Sequence, residues 1–217
     1  QLEAAYDSAE IGGAGGGVFD QTGYSYQYKY STATRLGNAN WTATSSAENF
    51  CFPGSFEFPY LQGTNASFRR SALLEVGGFD EEIEYYLDET EVCCRLVDAG
   101  YVIRQLANAF VHHKFAPSHV RDDNRINRYR YPVIKNKIYF SLRHGRPYVP
   151  LGEIMEDNLM FSRGREHDVE FHIEAGRLDE AERGPVERVV IGLRRSRHVD
   201  EGAVVAVGPA VIRAHEA

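Results

Sequence analysis

Three carboxylates stand within four residues at Asp88-Glu89-Thr90-Glu91, and two adjacent histidines, His112-His113, close the apolar stretch that follows. Carboxylates can take up a proton or hold a metal ion, and imidazole is the commonest metal-ligating side chain. Behind the acids, Val92, Leu96 and Val97 recur at helical spacing and Ala99-Gly100 supplies a stop, so the acids fall on the first turn of a helix. There the positive end of the helix dipole favours the ionised carboxylate, which is the form a general base needs. The same acids also serve as ordinary complements to that dipole. Glu91 and Arg95 lie four apart and can pair on one face, leaving Asp88 or Glu89 for other work. Consecutive side chains leave a helix about 100° apart, so Asp88 and Glu89 are expected to diverge.

The elements that must position these groups flank them. Upstream, Gly63-Thr64-Asn65 reads as a turn with two side chains able to hydrogen-bond hydroxyls, followed by Arg69-Arg70 and a short helix over 71–76 that Gly77-Gly78 ends. Downstream, Tyr101-Val102-Ile103 and Ala109-Phe110-Val111 read as two short strand pieces separated by residues 105–108. Alternation along a strand lets only one of His112 and His113 share the side of Phe110. Near the start, the run Ile11-Gly12-Gly13-Ala14-Gly15-Gly16-Gly17-Val18-Phe19 reads as small residues on a tightly packed strand. A phosphate loop would need a helix straight after the glycines, and a strand and turn follow instead. Tyr24, Tyr26, Tyr28 and Tyr30 alternate, which predicts a strand with one aromatic face, suited to plain packing or to stacking on sugar.

The ordered set GTNASFRR, VGGFDEE, YYLDETEVCCRLVDAGY and NAFVHHKFAPS resembles the second half of a family 2 glycosyltransferase with the GT-A fold, over roughly residues 10–140. The family's pattern runs G-x-N-x-x-F-R-R, G-G-F-D-E, E-D-x-D-x-x-x-R-L, A-G-Y and V-x-H in this order. The resemblance implies an α/β fold, the C-terminal part of a mixed nucleotide-diphospho-sugar transferase sheet with flanking helices. It implies inverting transfer of a sugar from a nucleotide-sugar donor to the hydroxyl of a carbohydrate or lipid-linked acceptor, in cell-surface polysaccharide or glycolipid synthesis. Its base position falls on Glu89 and the pair's other member on Asp88, the two acid types being exchanged, with Glu91 as the following acid. Gly63, Thr64, Asn65 and Arg95 fall beside the acceptor. The terminal histidine, a ligand of a divalent metal (Mn2+ or Mg2+) in some members, falls on His113, with His112 as the fallback. The family's metal-binding Asp-x-Asp occurs nowhere in the chain, so the resemblance implies a piece carrying the acceptor side, inactive alone, with further metal ligands elsewhere. A non-catalytic carbohydrate-binding or scaffold domain of the same shape is the alternative. A hydrolase fits less well, because its two carboxylates must flank a bond from about 5 to 9.5 Å apart.

The rest of the chain bounds these readings. A net charge of −7 argues against a nucleic-acid binder, whose phosphate contacts demand a basic footprint. The three cysteines, Cys51, Cys93 and Cys94, have no metal-ligand spacing and point to a reducing compartment. No signal peptide or membrane-spanning apolar run is recognisable, so a cytoplasmic location is expected. The sequons at Asn40 and Asn65 are discounted on that basis. A loop over 114–130 precedes an amphipathic helix opened by Pro132 and carrying Ile134, Ile138 and Leu142. Arg121, Arg125, Arg128, Arg130, Lys135, Lys137 and Arg143 there form a basic band, a solvated face or a peripheral contact with an acidic membrane surface. A boundary near Pro150 separates residues 1–149 from a C-terminal helical extension, 150–217, with charged helical stretches over 178–182 and 186–195.

Overall fold

The computed structural model describes residues 1–41, 43–114, 116–117, 122, 126–127, 130–182, 186 and 188, and the backbone of 205–207 and 210–212. It is mixed α/β and divides into two compact units, residues 1–115 and 116–217.

The first unit is built on β1 (Ile11–Phe19), β2 (Tyr26–Tyr28), β3 (Thr32–Thr34), β4 (Ala39–Asn40), β5 (Glu57–Pro59), β6 (Ala66–Phe68) and β7 (Val102–His112), with helices α1 (Arg70–Glu75) and α2 (Asp88–Asp98). The glycine-rich strand β1 is the centre of the main sheet. Along one edge it pairs in parallel with β7, and along the other it pairs antiparallel with β6 and β2. A second antiparallel sheet runs β4-β3-β5. The glycines permit close approach: a Cβ on Gly16 would collide with the Ala109 carbonyl of β7, and one on Gly15 with the Asn65 carbonyl.

Helix α2 forms where its apolar spacing predicts. Val92, Cys93, Leu96 and Val97 are fully buried, each large apolar side chain contributing about 1.5–3 kcal/mol. Gly100 ends it at φ +88°, with its own N–H on Val97 O and the Tyr101 N–H on Leu96 O. The chain then enters β7, which is one strand rather than two pieces. Residues 105–108 interrupt its register without breaking it: Gly16 pairs with Leu106 but Val18 with Val111, so β7 carries extra residues as a bulge. The alternating tyrosines also behave differently from expectation. β2 covers only Tyr26–Tyr28: Tyr24 precedes it and projects into solvent, Tyr26 stacks on Phe19 at 4.3 Å, and Tyr28 and Tyr30 are buried.

The second unit contains α3 (Tyr131–Phe140), a π-helical turn (Ser141–Gly145), α4 (Leu151–Glu174) and a two-stranded ribbon of β8 (Val205–Val207) and β9 (Ala210–Ile212). α3 packs on α4 and belongs with it, so the division falls before α3 and not near Pro150. The short turn Glu180–Glu182 lies within the expected 178–182 stretch, whereas most of 186–195 lies outside the described residues. Two of the residues expected in the basic band are not at the surface. Lys137 is fully buried against Asp157, its charge opposed by burial, and Arg130 is buried on Asp168 at 2.8 Å. Arg143 is exposed and donates to the Tyr139 hydroxyl at 2.7 Å; Arg121, Arg125 and Arg128 lie outside the described residues. Among the described residues no helix is long and apolar enough to cross a membrane.

Candidate functional site

Two segments far apart in sequence meet at the start of α2. The Gly63 N–H donates to Glu89 Oε1 at 2.8 Å, bringing the 63–65 turn onto the acidic helix start. Two consecutive residues with left-handed backbone, Tyr86 at φ 72° and Leu87 at φ 71°, set the angle at which the acids enter. Left-handed geometry is unusual for bulky side chains and costs on the order of 1–3 kcal/mol per residue, and it collects at functional sites. Leu87 is held by burial of its side chain and by its carbonyl, which accepts the Glu91 N–H at 2.8 Å.

Burial pushes the Glu89 carboxyl up to about 8, assisted by the hydrogen bond that protonated Glu89 donates to Asp88 and by the Asp88 charge; the Gly63 amide pulls the other way without prevailing. This corrects two expectations. The helix dipole does not keep Glu89 ionised, because desolvation outweighs a terminal partial charge. Nor do Asp88 and Glu89 diverge: their carboxyls are joined by a hydrogen bond.

Around the pair stand groups that the sequence reading missed as site residues. The Tyr28 hydroxyl is hydrogen-bonded to Thr64 Oγ1 at 2.6 Å. The Tyr60 hydroxyl accepts from Trp41 Nε1 at 2.9 Å and from Gln62 Nε2 at 2.7 Å. Burial pushes both tyrosines up, Tyr60 to about 12, and the negative charge of Glu89 adds to each. Trp41 holds this hydrogen bond while remaining 62% exposed, which leaves indole surface open beside Tyr60. A lone tryptophan in a Ser/Thr/Asn-rich loop was the available signal.

The remaining expected site residues have other work. Glu91 is fully buried, and Arg95 grips it through Nε at 2.8 Å and Nη2 at 2.6 Å, while also donating to the Val76 and Gly78 carbonyls. The pairing is the one the spacing predicts, and it clamps α2 to the end of α1. Asn65, 6% exposed, donates its amide hydrogens to the carbonyls of Gly17 and Ala109, tying β1 to β7 from within. Of the four residues expected beside an acceptor, Gly63 and Thr64 remain at the rim of the site.

The histidines do not form a cage for the implied divalent metal. His112 Nε2 lies 3.0 Å from the Gln21 carbonyl oxygen, over the turn that Asp20 organises, and His113 Nδ1 lies 3.1 Å from Gln27 Oε1. Among the described residues no three His, Cys, Asp or Glu side chains converge to hold an ion. The metal that the resemblance implies would need further ligands beyond these residues, and no step below passes through it.

The arrangement is thus a mixed α/β unit presenting a hydrogen-bonded carboxyl pair near two buried tyrosines, one of which holds an exposed tryptophan. The chain matches no family model, no curated protein and no solved structure.

Proposed function

We propose that this chain carries the acceptor side of an inverting glycosyltransferase of GT-A type, with Glu89 as general base. The observation that carries the reading is the Gly63–Glu89 contact, which joins the two motif segments around a carboxyl whose affinity for a proton is matched to neutral pH. Glu89 in its carboxylate form takes the proton of the acceptor hydroxyl. The acceptor oxygen bonds to the anomeric carbon as the bond from that carbon to the donor's diphosphate breaks, and the leaving nucleoside diphosphate keeps the electron pair. The Gly63 amide holds Glu89 Oε1 in place. The negative charge of Asp88 raises the proton affinity of Glu89 and makes it the stronger base once it is ionised. The exposed indole of Trp41 offers a sugar face a stacking surface.

The nucleotide-binding half, with its Asp-x-Asp, is proposed to come from residues other than these 217. The test is single-turnover transfer in protein that includes the natural sequence upstream of Gln1. Glu89→Gln should lower the rate by roughly 10²–10⁴-fold while donor binding survives, and Glu91→Gln should act on stability more than on rate. A Glu89→Gln variant with normal turnover overturns the assignment.

A further inference from the structure

The hydrogen bond between β2 and the 63–65 turn has a direction that burial decides. The Tyr28 and Thr64 hydroxyls lie 2.6 Å apart, and each has one proton to give. Among the described residues neither hydroxyl has another hydrogen-bond partner. The two ends differ in their access to water. Tyr28 is 8% exposed, so a proton left unused there would lose its bond to water and gain nothing in return. Thr64 is exposed, and a proton left unused there is met by solvent. Tyr28 therefore donates and Thr64 accepts. Burial also holds the phenol proton in place, pushing Tyr28 well above the ordinary tyrosine range. With one lone pair committed to Tyr28, the Thr64 hydroxyl turns its own proton away from β2.

Beside that proton stands the Glu89 carboxyl. Gly63, the residue before Thr64, donates its N–H to Glu89 Oε1 at 2.8 Å, and the charge of Glu89 reaches the Tyr28 hydroxyl. The rim of the site thus offers one aimed donor and one acceptor: Thr64 gives a proton, and ionised Glu89 takes one. A lone hydroxyl answers one of them. A carboxylate or a fully ionised phosphate accepts from Thr64 but has no proton for Glu89 and meets its charge, and a cation cannot accept from Thr64 at all. Two hydroxyls on adjacent carbons answer both, the first giving its proton to Glu89 and the second accepting from Thr64. We propose that Thr64 is a specificity-determining residue, aimed by Tyr28 as its positioning residue, and that it selects an acceptor sugar by the hydroxyl next to the one that reacts. This names the substrate class for the reaction proposed above and rests on that reading.

Trp41, the chain's single tryptophan, supplies the readout: its indole N–H is bonded to Tyr60, whose hydroxyl also feels the Glu89 charge, so its fluorescence reports on this rim. The methyl glycosides of glucose, galactose, mannose and N-acetylglucosamine are titrated at pH 9, where Glu89 is ionised. At least one should change the Trp41 emission. Among its monodeoxy analogues, the one lacking the hydroxyl read by Thr64 should bind roughly 3- to 10-fold more weakly than the parent, the loss of one net hydrogen bond. Thr64→Val, which keeps the shape and removes the hydroxyl, should weaken the parent by the same factor and bind that analogue as wild type does, and Thr64→Ser should restore the discrimination. Tyr28→Phe should weaken the parent by less than Thr64→Val, since the hydroxyl remains but is no longer aimed. Silence toward all four glycosides overturns the assignment. So does equal binding of every monodeoxy analogue by wild type, a result that needs no variant to fold, or a Thr64→Val variant that still discriminates. The outcome is separable from that of the transfer assay. Thr64-dependent discrimination without an effect of Glu89→Gln on transfer leaves a carbohydrate-binding site, and the reverse leaves the base without this selector.

Discussion

Replacing Glu89 by Gln should stabilise the protein at alkaline pH while leaving its stability near pH 5 unchanged. The folded state holds the Glu89 proton up to about 8, whereas the unfolded chain releases it near the ordinary value of 4.5. Between those values the folded state binds more protons, so stability falls as pH rises, and the loss is complete above about 8. Each pH unit of difference is worth about 1.4 kcal/mol, which sets a ceiling of about 5 kcal/mol. Glu89 retains partial contact with solvent, which screens the charge, so roughly half of that ceiling is the working figure. At roughly 4 °C per kcal/mol for a unit of this size, the wild-type melting temperature should drop by roughly 10 °C more than that of the variant between pH 5 and pH 9. Glutamine keeps the oxygen that accepts the Gly63 N–H, so the comparison isolates the charge. The assay is a pair of thermal melts across that range, followed by circular dichroism. Parallel curves for the two proteins would refute the claim that Glu89 is held protonated by burial and by Asp88.

Asp88→Asn removes the neighbouring charge, so the wild-type inflection in the same melts should move to lower pH; an unmoved inflection would disconnect the two carboxyls. Glu91→Ala leaves the Arg95 guanidinium without its carboxylate and should cost about 3–5 kcal/mol in urea unfolding, against a value near zero if the pair is dispensable. Gly16→Ala drives a methyl group into the Ala109 carbonyl and should abolish the cooperative transition, and a variant that melts like wild type would show that β1 and β7 can separate locally. In the transfer reaction proposed above, the rate should rise with pH through about 8, since the carboxylate is the competent form of the base; a rate flat from pH 6 to 9 would remove Glu89 from that role.

Local rules made much of this architecture legible. The apolar spacing of Val92, Leu96 and Val97 with the Gly100 stop located α2, and the small residues of β1 announced close packing. The Glu91–Arg95 spacing foretold its ion pair. What could not be read was set by contacts distant in sequence. Nothing near Asn65 says that its amide will be drawn between two strands, and nothing near Lys137 says that Asp157 will bury it. The Glu89 environment failed for the same reason. A helix-terminus argument uses one partial charge, while the burial that overrides it comes from the 63–65 turn and from tyrosines elsewhere in the chain.

The parallel pairing of β1 with β7 also constrains how the protein comes into being. Its partners lie at residues 11–19 and 102–112, so the longest contact of the sheet joins nearly the whole first unit end to end. During synthesis β1 emerges early and waits, with that edge unpaired, until His112 has left the ribosome. Local helices such as α2 can form during the wait, but the central strand cannot find its neighbour. A hydrophobic, β-branched strand held in that position would recruit other nascent chains. A run of glycine and alanine has little tendency to do so, because glycine is a poor strand former until tertiary packing imposes the conformation. The glycines that let Ala109 approach in the finished fold therefore also keep the unfinished one quiet, and the rate at which these two ends meet is expected to limit folding.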